Sequence, residues 1–174
     1  MIRNGISVFL YLVLLFDLLI LILTSNNYFF IFLKPTGIII PSVITLISLY
    51  LFARERKVNN YWIIGGTVIS AVLLGTLWLG DAITNSSYDK ITSQKRDITI
   101  IIEHRGATLG ETSHFYNFYQ VEKFPIVIKK LNSDTLRIIT RGTNTDNLGV
   151  LGVNNAKWIN NKIIFTSSYK GEKI

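Results

Sequence analysis

Two histidines, His104 and His114, lie close to two carboxylates, Glu103 and Glu111. Two imidazoles with a carboxylate make a ligand set for a transition metal. Their separation does not match the one-turn spacing by which a helix offers two histidines to zinc, and no metal site is expected. Ser113 and His114 are adjacent, so a strand would point them to opposite faces and they cannot act as nucleophile and base. Asn144, Asp146 and Asn147 offer oxygens to calcium but only one carboxylate, and read instead as an Asx-rich turn. Residues 106–110 (Gly-Ala-Thr-Leu-Gly) lack the lysine and the spacing of a phosphate-binding loop. Cysteine is absent, which removes disulfides, thiolate chemistry and cysteine-ligated metals. The chain therefore reads as a non-enzyme, with no catalytic residue, no cofactor and no metal.

One further residue has chemical potential because of where it lies. Asp17 sits within an otherwise apolar run, and an acidic side chain inside a membrane is a functional candidate by default. Ser42, Thr45 and Thr76 fall at comparable depth on two further apolar segments. These four form a possible intramembrane polar site, either a proton or ion relay or a contact that holds helices together.

The elements that would position these residues divide the chain in two. Of its 174 residues, the part up to Gly80 holds seven charged side chains, five basic and two acidic; thirteen basic and nine acidic ones follow. Residues 6–24 contain fifteen Leu, Ile, Val or Phe. As a helix they would span about 28 Å, close to the roughly 30 Å of a bilayer core. Their insertion contributes about −4.5 to −9 kcal/mol against a cost of about 2.5 to 3.5 kcal/mol for Asp17. The run exceeds the apolar core of a cleaved leader and Thr24-Ser25-Asn26 is no small-residue cleavage site, so it reads as an uncleaved anchor. Residues 38–53 form a second, short span with Pro41 in its first turn. Residues 28–33 before it are aromatic, as at a headgroup interface. Residues 61–80 carry no charge and place Trp62 and Trp78 near opposite ends. The pairs Gly66/Ser70 and Ala71/Gly75 allow close helix packing, expected within the chain. Arg54, Arg56 and Lys57 make the second loop cytoplasmic, and Arg3 agrees. The N-terminus is then cytoplasmic and the C-terminus outside.

Residues 81–96 are polar and without period, and read as a stalk or linker. Residues 97–174 change to β-type patterning: 97–103, 113–121, 124–131, 135–140, 148–153, and a hairpin of 157–159 with 162–167 about Asn160-Asn161. Turns are expected at 105–107, 132–134 and 141–147. The fold class is thus membrane α-helical, with three transmembrane helices, plus a small all-β C-terminal domain, an antiparallel sandwich or open barrel. In 113–121, His114, Tyr116 and Phe118 share one face and Phe115, Asn117 and Tyr119 the other. Rings on both faces make His114, Tyr116 and Phe118 a possible binding face, with core packing the plainer reading.

The net charge of +7 suits an anionic lipid or polymer surface, and no nucleic-acid module is present. The stretch Glu103-His104-Arg105-Gly106-Ala107-Thr108-Leu109-Gly110-Glu111-Thr112, with Lys129-Lys130-Leu131 and Trp158-Ile159-Asn160-Asn161-Lys162-Ile163-Ile164, resembles uncharacterised small membrane proteins of Gram-positive bacteria. These have N-terminal spans and a short extracytoplasmic β domain. The resemblance implies a bacterial plasma-membrane location and transfers no catalytic residue. Together these readings describe a non-enzymatic, multi-pass protein of the bilayer. Its outward β domain would bind an envelope protein, a peptide or an anionic polymer, in an immunity, accessory or sensor role. The alternative is a transporter or channel subunit using Asp17.

Overall fold

The computed structural model describes residues 2–34, 36–84, 86–93, 98–141, 146–159, 162–167 and 169. The chain divides into two compact units, Met1–Thr84 and Asn85–Ile174.

The first unit is helical. Helix α1 covers Ile2–Ser25, and a short extended segment β1, Tyr28–Phe30, follows. Asn27 enables the reversal by taking a positive φ of 63°, which asparagine tolerates better than most residues. Phe16 stacks on Phe30 at 5.8 Å between centroids, tying the segment back to α1. Helix α2 covers Ile39–Glu55 and α3 covers Asn60–Thr84. Among the described residues two stretches are long and apolar enough to cross a membrane, Gly5–Ser25 and Asn60–Gly80. That corrects the expectation of three spans. Helix α2 has 17 residues, about 26 Å of rise, because the chain is still turning at Gly37, whose φ is +55°. The small residues of α3 also depart from expectation. A Cβ added at Gly66 or Gly75 would meet nothing within 4 Å, and an apolar groove of about 560 Å³ runs between α2 and α3 past Gly66, Ser70 and Ala71. The close packing that such residues permit is not made there.

The second unit is a mainly antiparallel β domain with one short helix. Its strands are β2 (Ser87–Thr92), β3 (Thr99–Leu109), β4 (Glu111–Val121), β5 (Val127–Lys130), β6 (Leu136–Arg141), β7 (Lys157–Ile159) and β8 (Lys162–Ile164). Strand β3 lies between β2 and β4, and the far edge of β4 carries β6 along its first half and β5 along its end. Strands β7 and β8 pair separately; Asn160 and Asn161 between them lie outside the described residues.

Three expectations are corrected here. The supposed stalk holds the end of α3 and all of β2, whose polar residues pair with β3 from Ser87↔His104 to Thr92↔Thr99. An edge strand can be polar because only its backbone and one face need partners. The turn expected at 105–107 is absent. Gly106 and Ala107 are paired with His114 and Ser113, and the chain reverses at Gly110 with φ +81°, a region that favours glycine. Residues 148–153, expected as a strand, begin instead in helix α4, Asn147–Leu151. Asp146 caps α4 by accepting from the Gly149 amide at 2.9 Å, and Gly152 ends it in the left-handed region.

The main core lies on one face of the sheet, while Ile101 and Tyr119 are buried on the other. Ile100, Ile102, Tyr116, Phe118 and Ile138 pack with Val150 and Leu151 of α4, and Trp158, Ile163 and Phe165 lean against them. Burying a side chain of this size contributes about 1.5–3 kcal/mol.

Candidate functional site

Hairpin register decides which chemical groups meet. Pairing of Ile102↔Phe118, His104↔Tyr116, Gly106↔His114 and Thr108↔Thr112 puts the even-numbered residues of β3 and β4 on the core face. His104 and His114 therefore share a face, and both are buried.

They are joined by Asn147, the first residue of α4. Its side-chain nitrogen lies 3.1 Å from His104 Nδ1 and its side-chain oxygen 2.6 Å from His114 Nδ1. At the outer end, His104 Nε2 lies 2.7 Å from the half-exposed Asp89. At the inner end, His114 Nε2 lies 3.0 Å from the Thr140 hydroxyl. With the Asn147 amide in this orientation, the neutral tautomers follow. His104 carries its proton on Nε2, donates to Asp89 and accepts from Asn147. His114 carries its proton on Nδ1, donates to Asn147 and accepts from Thr140. The Tyr116 hydroxyl adds a bond to the Asn147 carbonyl at 2.6 Å. Gly106 makes room, since a Cβ there would sit 3.2 Å from Asn147 Oδ1.

This run of groups resembles a catalytic relay but ends in a buried threonine, 1% exposed. A relay needs substrate at its end, and every ring nitrogen here is taken by a protein partner. Its evident work is to pin α4 to the sheet. Among the described residues no group of three metal-ligating side chains forms.

The opposite face carries the odd-numbered residues. The Glu103 carboxylate accepts from Tyr119 at 2.6 Å, Tyr88 at 3.1 Å and Asn117 at 3.2 Å. Burial pushes the Tyr119 phenol well above its ordinary range, helped by the bond to Glu103 and by the charges of Glu103 and Tyr88. On the core face burial does the same to Tyr116, with Asp146 adding to it. One rung beyond Glu103, Arg105, Phe115 and Arg137 stand abreast on β3, β4 and β6. The Arg105 guanidinium lies 4.7 Å from the Phe115 ring centroid and that of Arg137 5.7 Å. Arg137 also donates to Ser113 Oγ from Nη2 at 2.9 Å and from Nε at 3.3 Å. The described ion pairs include no carboxylate on either arginine.

The sequence-derived candidates fall out as follows. His114, Tyr116 and Phe118 are 0%, 0% and 9% exposed, so the face they share is the packed one and not an outward binding surface. Asp17 meets Thr45, whose hydroxyl donates to its carboxylate at 2.6 Å. Thr76 turns to its own helix, donating to the Leu73 carbonyl at 2.8 Å, and Ser42 bonds Ile38 through its backbone amide. Asn144 lies outside the described residues, Asp146 is a helix cap, and Asn147 is the bridge between the histidines. Sequence reasoning missed Asp89, Thr140 and the Arg105–Phe115–Arg137 rung. No family model matches the chain, and neither does any curated protein or solved structure.

Proposed function

We propose that the protein is a non-enzymatic, membrane-anchored binding module, held by its apolar helices and presenting its β domain outside the cytoplasm of a bacterial cell. The observation that carries the anchoring is that two helices of spanning length leave their apolar side chains almost wholly uncovered: 6% of residues are buried in the most apolar window of one and 0% in that of the other. A water-soluble fold would cover such faces. Binding rather than catalysis is supported by the engagement of all four ring nitrogens of His104 and His114 with other protein groups. The chemically distinctive part of the β domain is the Arg105–Phe115–Arg137 rung of its odd-numbered face, where Arg137 is exposed and Arg105 and Phe115 are half-buried. The partner is an envelope component, a protein, a peptide or an anionic polymer.

A transporter or channel built on Asp17 draws less support, because no described hydrogen bond joins Ser42 or Thr76 to the carboxylate. Orientation rests on the Arg54, Arg56 and Lys57 loop.

Carbonate extraction followed by protease treatment of intact spheroplasts tests the reading. The full chain is expected in the membrane pellet, with the β domain cut from the outside. Release of the chain by carbonate would remove the anchor. Protection of the β domain in spheroplasts but not in inverted vesicles would reverse the orientation.

A further inference from the structure

We propose that the Arg105–Phe115–Arg137 rung is a binding site for a phosphate-type oxyanion. The inference deepens the binding-module reading by naming the ligand chemistry, and it rests on that reading.

Three observations carry it. First, two guanidiniums lie 4.7 and 5.7 Å from one ring centroid, which gathers like charges that repel. Contact with the ring face offsets part of this. Second, described carboxylates do not neutralise the pair. Glu103, one rung away, is held by Tyr88, Asn117 and Tyr119. Glu111 lies further along the face, opposite Arg141. Third, the donors are left available. A guanidinium over a ring keeps its N–H groups in its own plane, free for an acceptor. Arg137 uses Nε and Nη2 on Ser113, which fixes its orientation and leaves its other terminal nitrogen.

Charge alone would admit any anion; the number of acceptors decides. The Arg105 guanidinium presents donors in a planar fork that takes two oxygens, and Arg137 adds the terminal nitrogen that Ser113 does not engage. A carboxylate has two oxygens and is filled by one fork. A phosphate group has enough oxygens, arranged tetrahedrally, to be held from two sides. Neighbouring strands lie about 4.8 Å apart, so Arg105 and Arg137 start roughly 10 Å apart at the backbone and reach inward over Phe115. The phosphate could belong to a lipid headgroup or to a soluble or polymeric phosphate; the chemistry is shared.

The test uses the full chain in a nonionic detergent, where neither membrane orientation nor anchoring enters, with fluorescently labelled linear polyphosphate as probe. Binding is expected to weaken at least tenfold in R105Q/R137Q and to change less than twofold in the control K157Q/K162Q, which removes the same charge from strands β7 and β8. The β-sheet circular dichroism of both variants should match the parent. Equal loss in the two variants would overturn the proposal in favour of diffuse charge, as would R105Q/R137Q binding within twofold of the parent. Polyglutamate of matched charge binding as tightly as polyphosphate would overturn the phosphate assignment. Nanodiscs then separate the sources. Polyphosphate binding that persists in phosphatidylcholine discs and falls when phosphatidylglycerol is added identifies a lipid phosphate as ligand; binding indifferent to phosphatidylglycerol identifies a free one. Failure here with the chain still resistant to carbonate would leave the anchored module standing without this ligand.

Discussion

The two faces of the β3–β4 hairpin are built from alternate residues of the same two strands, yet they treat polar groups in opposite ways. On the even-numbered face, Asp89, His104, Asn147, His114 and Thr140 bond to one another in a continuous chain from the half-exposed Asp89 to the buried Thr140. On the odd-numbered face, Glu103 is saturated but Arg105 and Arg137 stand beside a ring with no described counter-ion. The two faces divide stability from recognition. A polar group that is buried and fully bonded is costly to remove and works for stability. A charged group left without a counter-ion can take one from outside.

The comparison can be broken most forcefully at Asn147. Asn147→Ala removes one side chain from between two buried rings and leaves both Nδ1 atoms unsatisfied. The expected loss is about 2–5 kcal/mol, a large part of what a small domain possesses. Urea denaturation of the full chain in detergent, followed by β-sheet circular dichroism, measures it. A loss under 1 kcal/mol would mean that the histidine chain does not pin α4.

Alkali should act on both faces at once. Tyr116 and Tyr119 titrate in the folded domain well above the phenol value of 10.0. A raised folded pKa means that the folded state holds the proton more tightly. The contribution is then fully present below about pH 10 and is lost as pH rises beyond it. Denaturation midpoints at pH 8 to 11 should fall along this limb, and Tyr119→Phe should flatten it while costing some stability at pH 8 through the lost Glu103 bond. An unchanged limb in that variant would show that Tyr119 is not the titrating group.

A smaller effect sharpens the packing argument. Gly106→Ala places a methyl against Asn147 Oδ1, which cannot retreat while both histidines hold the amide. A destabilisation of about 1 kcal/mol is expected. Stabilisation would show that Gly106 is there for some reason other than clearance.

The smallest change belongs to the odd face. Arg105→Gln with Arg137→Gln should alter stability by no more than about 0.5 kcal/mol, as surface substitutions usually do, while acting on anion binding. A loss above 2 kcal/mol would make the rung structural and erase the contrast between the faces.

Much of the fold was legible because patterning reports burial. The β-branched run 97–103 and the alternation of 113–121 announce strands, and the charge-poor segments before Gly80 announce apolar helices. What was hidden has physical causes. Strand β2 is polar on an edge and so looks like a linker. Helix α4 is too short to show a helical period, so its Leu148, Val150 and Leu151 read as a strand. Gly106 looks like a turn but is a clearance in a strand, whereas Gly110 is the turn. That last misplacement also hid the site. With the reversal set at Gly110, His104 and His114 fall on one face by register alone. Asn147 was out of reach, because nothing local says that a distant helix will insert its first side chain between them.

The tight reversal at Gly110 also orders the assembly of the domain in time. Its two strands are neighbours in sequence, so their long register needs almost no loop closure and can zip within about 1–10 μs. Asn147 arrives from far along the chain and must wait for slower, non-local docking. Between those events His104 and His114 are expected to share a face of the hairpin while still hydrated. The imidazole proton resonances should therefore pass from water-exchanging to protected only in the final step, a built-in clock for the docking of α4.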